Sequence, residues 1–156
     1  MKFRLKEAPA GYEEGVRELL EERGHRLLGT GEDGGRELVV ELCLRESPEK
    51  KVRVSYCGAR QENGEKTGSG ELISCHKTFL FRALMLLLQR LEASEESFTL
   101  EEEVWLDRNG VMLDCSRNSV LRPEMIRRYI RLLASLGMNT LMLYTEDTYE
   151  VPEYPY

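Results

Sequence analysis

The sequence holds no C-x-x-C pair. Its cysteines stand apart at Cys43, Cys57, Cys75 and Cys115, and its histidines are His25 and His76 alone. Cys75 and His76 are adjacent, which is not the spacing of a zinc finger, so no metal or other cofactor is expected. Isolated thiols fit a reduced, cytoplasmic protein. The opening "MKFRLKEAPA" lacks an apolar core of signal-peptide length. The longest apolar run, Ala83 to Leu88, is far too short to span a bilayer. The glycine-rich "GTGEDGG" at 29–35 is followed by no G-x-x-x-x-G-K-[ST], so a phosphate loop is not expected there. A basic surplus is missing too. With 22 basic and 28 acidic residues the formal charge is −6, which speaks against nucleic acid or an anionic membrane as partner. Arg127, Arg128 and Arg131 form a local basic cluster, read as the solvated face of a helix.

What is present is a globular balance: 41% hydrophobic and 32% charged residues exclude a disordered chain. Residues 1–96 read as an α+β scaffold domain. Phe3 and Leu5 alternate in a first strand. Val16, Leu19, Leu20, Leu27 and Leu28 predict a helix over 11–28, weakened by Gly24. Leu38, Val40, Leu42 and Leu44 alternate with polar or smaller residues over 36–45. Val52, Val54 and Tyr56 do so over 51–56. With "ESPEKK" between them, these runs predict an antiparallel hairpin with one wet face, hence an antiparallel sheet. The turn-rich "RQENGEKTGSG" leaves room for a short third or edge strand. Phe79, Leu80, Ala83, Leu84, Leu87, Leu88 and Leu91 predict a helix over 76–91. Its wide stripe would cover the sheet and touch a neighbouring domain.

An acidic stretch, "EASEESFTLEEE", separates the halves. A strand beginning at Ser97 is expected to lead through Val104, Trp105 and Leu106 into a second unit over 97–156. There, Val111-Met112-Leu113 and Leu141-Met142-Leu143 are continuously apolar, like strands buried on both faces of a parallel sheet. Between them Pro123 suits the first position of a helix, and Glu124 suits its positive end. Met125, Ile126, Tyr129, Ile130, Leu133 and Leu136 recur at three and four, and Gly137 suits a left-handed C-terminal cap. The whole is a βαβ unit. A right-handed crossover makes its strands parallel, and sites then form at their carboxyl ends. Asp114, Arg117, Glu146 and Asp147 should meet there. An arginine fork with carboxylate acceptors suits a ligand dense in hydroxyls, such as a sugar. A plain Arg–Asp pair that pins the loop is the alternative.

"GVMLDCSRN" followed by "LMLYTEDTYEVPEYPY" resembles the start of the catalytic barrel in family-20 glycoside hydrolases, the β-N-acetylhexosaminidases. The likeness is to the bacterial branch with D-C-S-R-N after the first barrel strand. It covers residues 104–156, and the first half only in layout, since these enzymes commonly place a small α+β domain before a (β/α)8 barrel. The resemblance implies that Arg117 binds hydroxyls of a terminal N-acetylhexosamine and that Asp114 orients Arg117 and its loop. Glu146 and Asp147 fall at the family's acidic pair, although the better-known branch has histidine and tryptophan nearby. Tyr144, Tyr149, Tyr154 and Tyr156 are candidate site-lining residues, or core and rim.

The family's mechanism is substrate-assisted. The acetamido oxygen attacks the anomeric carbon while an Asp-Glu pair after the fourth strand polarises it and supplies the acid. A barrel takes ~250 residues. The chain is therefore expected to be a truncated enzyme, inactive alone, whose partners are N-acetylhexosamine-terminated glycans and the remainder of its own barrel. The acidic run at 101–103 is expected to be solvated and no substitute for the acid. Two other readings stay open: a non-catalytic α+β interaction or carbohydrate-binding module, and a fragment of an O-GlcNAc-type hydrolase.

Overall fold

The computed structural model describes residues 1–35, 37–60, 66–117, 120–146 and 152–153. In chain order the elements are β1 (Lys2–Glu7), α1 (Glu13–Glu22), β2 (Arg26–Leu27), β3 (Val39–Glu46), β4 (Lys51–Arg60) and β5 (Lys66–Ser74). They continue with α2 (Phe79–Glu92), β6 (Ser97–Glu103), β7 (Gly110–Asp114), α3 (Pro123–Ser135) and β8 (Thr140–Tyr144). The fold is α+β. One sheet has six strands in the order β2-β1-β3-β5-β4-β6, and the other pairs β7 with β8.

The large sheet is mixed, not antiparallel as the alternation suggested. β1 pairs parallel with β2 and β3, and β3 pairs parallel with β5. Among the described strands of this sheet only β4 runs antiparallel, to β5 and to β6. The expected hairpin of β3 and β4 is split by β5, which lies between them. The turn from β3 to β4 crosses the end of β5: Ser47 N donates to Ser74 O (2.9 Å) and Cys75 N to Lys51 O (3.2 Å). Glycine makes the insertion possible. A Cβ on Gly68 would lie 2.5 Å from the Tyr56 hydroxyl, and one on Gly70 would lie 3.0 Å from Leu42 and 3.3 Å from Leu87. Side chains from β4, β3 and α2 thus occupy the space β5 leaves open. Glycines that look like a turn in the sequence mark close approach instead.

The register places Phe3, Val40, Leu42, Leu44, Val52, Val54, Tyr56 and Leu72 on one face. Helices α1 and α2 cover it with Val16, Leu20, Leu80, Leu84, Leu87 and Leu88, all essentially buried. Each such side chain contributes roughly 1.5–3 kcal/mol by leaving water. The opposite face carries exposed ion pairs, Arg45 to Glu7 and Glu71, and Arg53 to Glu101. Such pairs add little stability individually.

Helix α1 stops short of the expected 28. Gly24 has φ of +72°, and Gly24 N and His25 N close the helix on Glu21 O and Leu20 O. Leu27 is buried as part of a strand. The strand from Ser97 also departs from expectation. β6 pairs with β4 along its length, so the large sheet continues past residue 96. Phe98 and Leu100 explain this, since they pack against the core while Thr99 and Glu101 face water.

The small sheet matches expectation in being parallel, with Val111 opposite Leu141 and Asp114 opposite Tyr144. Pro123 opens α3, and Gly137 (φ +79°) closes it, with Met138 N donating to Leu133 O at 2.8 Å. Helix α3 packs beside α2, and Arg131 forms a two-pronged ion pair with Glu18 of α1 (2.5 and 2.7 Å). Arg131 is thus a contact between the halves, and not merely part of a solvated face. Neither strand is buried on both sides. Met112 and Met142, on one face, are 58% and 55% exposed, and Leu143, on the other, is 48% exposed.

Candidate functional site

Alternation along β7 and β8 puts residues 112, 114, 142 and 144 on one face, with Asp114 and Tyr144 at the carboxyl ends. Cys115 N donates to Tyr144 O at 2.8 Å, extending the ladder by one residue and fixing the two ends against each other. Past that point the backbone turns around the Asp114 carboxylate. Its Oδ1 accepts from Ser116 N (2.9 Å), Ser116 Oγ (2.9 Å) and Arg117 N (3.2 Å). Its Oδ2 accepts from Arg117 Nε at 2.6 Å. This is an Asx-type turn closed by an arginine three residues on.

Those donors hold the Asp114 carboxyl at about 2, with the Ser116 backbone N–H the largest cause, followed by the Ser116 hydroxyl and Arg117. Ser116 has no assigned role in the sequence reading, yet it supplies two of the four bonds. The D-x-S spacing is the signal that would have found it.

Arg117 spends one donor on Asp114. Among the described residues no partner accepts from its terminal nitrogens, and its side chain is 66% exposed. Its Cζ lies 5.5 Å from the centroid of the Tyr144 ring, within the range of a cation–π contact. The Tyr144 hydroxyl in turn donates to the Glu146 carboxylate. The structure therefore brings together Asp114, Arg117, Tyr144 and Glu146 at one end of the small sheet. Asp147, Tyr149, Tyr154 and Tyr156 lie outside the described residues.

Chemically, the cluster offers a planar donor fork, an acceptor carboxylate and an aromatic surface side by side. It is suited to binding hydroxyl groups. Among the described residues no group of three or more His, Cys, Asp or Glu side chains is placed to hold a metal ion. A separate cleft of about 460 Å³ lies on the large sheet, lined by Arg4, Asp33, Glu37, Glu41 and Lys66 among others. Its mixed charges select no ligand sign, and it is remote in sequence from the strand-end cluster. The four cysteines are free, and among the described residues no helix is long and apolar enough to cross a membrane.

No family model matches the chain. Over 123 residues it is 27% identical to Protein Shroom1 of Mus musculus, a match covering 78% of this chain and 15% of that protein. The chain thus spans about 15% of the length of the curated relative it matches. Identity at that level over so small a part of the relative carries no function across.

Proposed function

We propose that the chain is the N-terminal part of a β-N-acetylhexosaminidase of the family-20 glycoside hydrolase type. In this reading the large sheet is its α+β accessory domain. The β7-α3-β8 unit begins a (β/α)8 barrel, and the strand ends hold part of the site for a terminal N-acetylhexosamine. The observation that carries the proposal is the Arg117 fork, tethered by Asp114 through Nε alone, beside the Tyr144–Glu146 pair at the ends of two parallel strands. Sites of α/β barrels form at that end. Arg117 would take sugar hydroxyls through its terminal nitrogens, with Glu146 accepting from a neighbouring hydroxyl. The acetamido-polarising aspartate and the acid glutamate are assigned to later strands of the barrel. A cytoplasmic location belongs to the same reading.

One observation favours a second reading. Asp114 accepts four bonds from its own loop, enough for the Asp114–Arg117 pair to serve only as a loop pin in a non-catalytic α+β module. Two measurements on residues 1–156 separate the readings. N-acetylglucosamine titrated into the protein should shift the Arg117 side-chain resonance, and Arg117→Ala should abolish binding. The same protein should not hydrolyse an aryl N-acetyl-β-glucosaminide, since general acid–base help alone is worth ~10²–10⁴ in rate. No response at Arg117 to saturating sugar would leave the pin reading standing. Turnover would move the catalytic role to the carboxylates present here.

A further inference from the structure

We propose that Tyr144 is the positioning residue of this site, holding the Arg117 guanidinium with its ring and the Glu146 carboxylate with its hydroxyl. The proposal rests on the glycosidase reading above. Arg117 and Glu146 both lie in loops beyond the strand ends, and a loop side chain by itself does not hold a binding geometry. A single bond from Nε to Asp114 leaves the guanidinium plane free to tilt about that bond. The Tyr144 ring, 5.5 Å from Cζ, supplies the second contact. The hydroxyl of the same ring fixes Glu146.

Tyr144 is well placed for both tasks because it is the last residue of β8. It lies opposite Asp114 in the parallel register, and its carbonyl accepts from Cys115 N. The ring and the Asp114 carboxylate therefore emerge from neighbouring strands, about 4.8 Å apart at the backbone. Asp114 and Tyr144 both hold Arg117, and among the described residues Tyr144 links it to Glu146. One residue at a strand end thus sets the spacing between a donor fork and an acceptor carboxylate. That spacing decides which pair of sugar hydroxyls can be held together.

The test uses Tyr144→Phe, which keeps the ring and loses the hydroxyl, and Tyr144→Leu, which loses both. The Cys115 amide reports whether the strand ends stay paired in each variant. In the free protein, the Arg117 Nε–H resonance should carry a ring-current shift that survives Tyr144→Phe and disappears in Tyr144→Leu. With N-acetylglucosamine as probe, Tyr144→Phe should weaken binding as much as Glu146→Gln, and the double variant should be no weaker. Tyr144→Leu should cost a further two- to five-fold, the size of an exposed cation–π contact. A wild-type sugar response that persists unchanged in Tyr144→Leu overturns this proposal alone. A wild-type protein with no sugar response overturns the glycosidase reading beneath it, whatever the free Arg117 resonance does.

Discussion

Replacing Gly110 by alanine should open the small sheet while leaving the large one folded. A Cβ at Gly110 would lie 1.7 Å from the Thr140 carbonyl oxygen, 2.6 Å from its carbon and 2.9 Å from Thr140 Cβ. The obstacle is largely backbone, so no rotamer change relieves it. Ordinary contact distances imply that the strands must part by about 1.5 Å or more. Three hydrogen bonds sit at that point. Asn109 O accepts from Asn139 N (2.9 Å) and Thr140 N (3.1 Å), and Asn109 N donates to Asn139 Oδ1 (3.0 Å). Such an opening carries them beyond hydrogen-bonding range. At about 1 kcal/mol net each, the loss is about 3 kcal/mol. A two-stranded sheet is marginal by itself, so this is a large share of what holds it. Amide hydrogen exchange followed by NMR reads the outcome. The Thr140 and Cys115 amides should exchange on the order of 100-fold faster, and the amides of β4 and β5 should keep their protection. Unchanged protection at Cys115, or an equal loss in β5, would refute the reasoning.

Two further predictions concern pH. Burial, and then the charge of the Met1 amino group 3.5 Å from Nδ1, lower the His25 pKa below its ordinary 6.5, with Glu92 opposing. A folded value below the unfolded one means that the stabilisation is whole above about pH 6.5 and fades as pH falls toward the folded value. Urea midpoints should therefore drop between about pH 7.5 and about pH 5.5, and less steeply in His25→Gln. Asp114, held at about 2 against an ordinary 3.8, contributes stability that is complete above its unfolded value and lost as pH falls through about 2. Carbon-detected NMR titration of the Asp114 carboxyl should give that low midpoint, and Ser116→Ala should raise it.

Element positions were legible wherever side chains alternated or recurred. The apolar alternation of Val40, Leu42 and Leu44, and of Val52, Val54 and Tyr56, marks β3 and β4 correctly as half-buried strands. Their pairing was not legible, because the strand between them carries Gly68 and Gly70, whose burial depends on Tyr56, Leu42 and Leu87 from other elements. A glycine has no side chain with which to announce its face, so the turn-rich stretch showed room only for a short third or edge strand, where the fold has a central one. The end of α1 illustrates the same limit. Gly24 weakened the helix on propensity, but the reason the chain turns there is that Arg26 and Leu27 pair with β1.

At the strand ends the division falls between local and register-dependent contacts. Asp114 and Arg117 are three residues apart, so one turn of backbone can join them, and the spacing exposes the pair to a reader of the sequence. Arg117 meets Tyr144 only because β7 and β8 align Asp114 with Tyr144, which no spacing along the chain reveals. The apolar runs of β7 and β8 give the converse case. Val111 to Leu113 and Leu141 to Leu143 have the composition of strands covered on both faces, yet Met112, Met142 and Leu143 are about half exposed. Composition records the environment a strand is suited to, and the described residues supply only part of it. Met112 and Met142 share their face with Asp114 and Tyr144. An apolar cover over the methionines would therefore also wall the strand-end cluster of Asp114 and Tyr144.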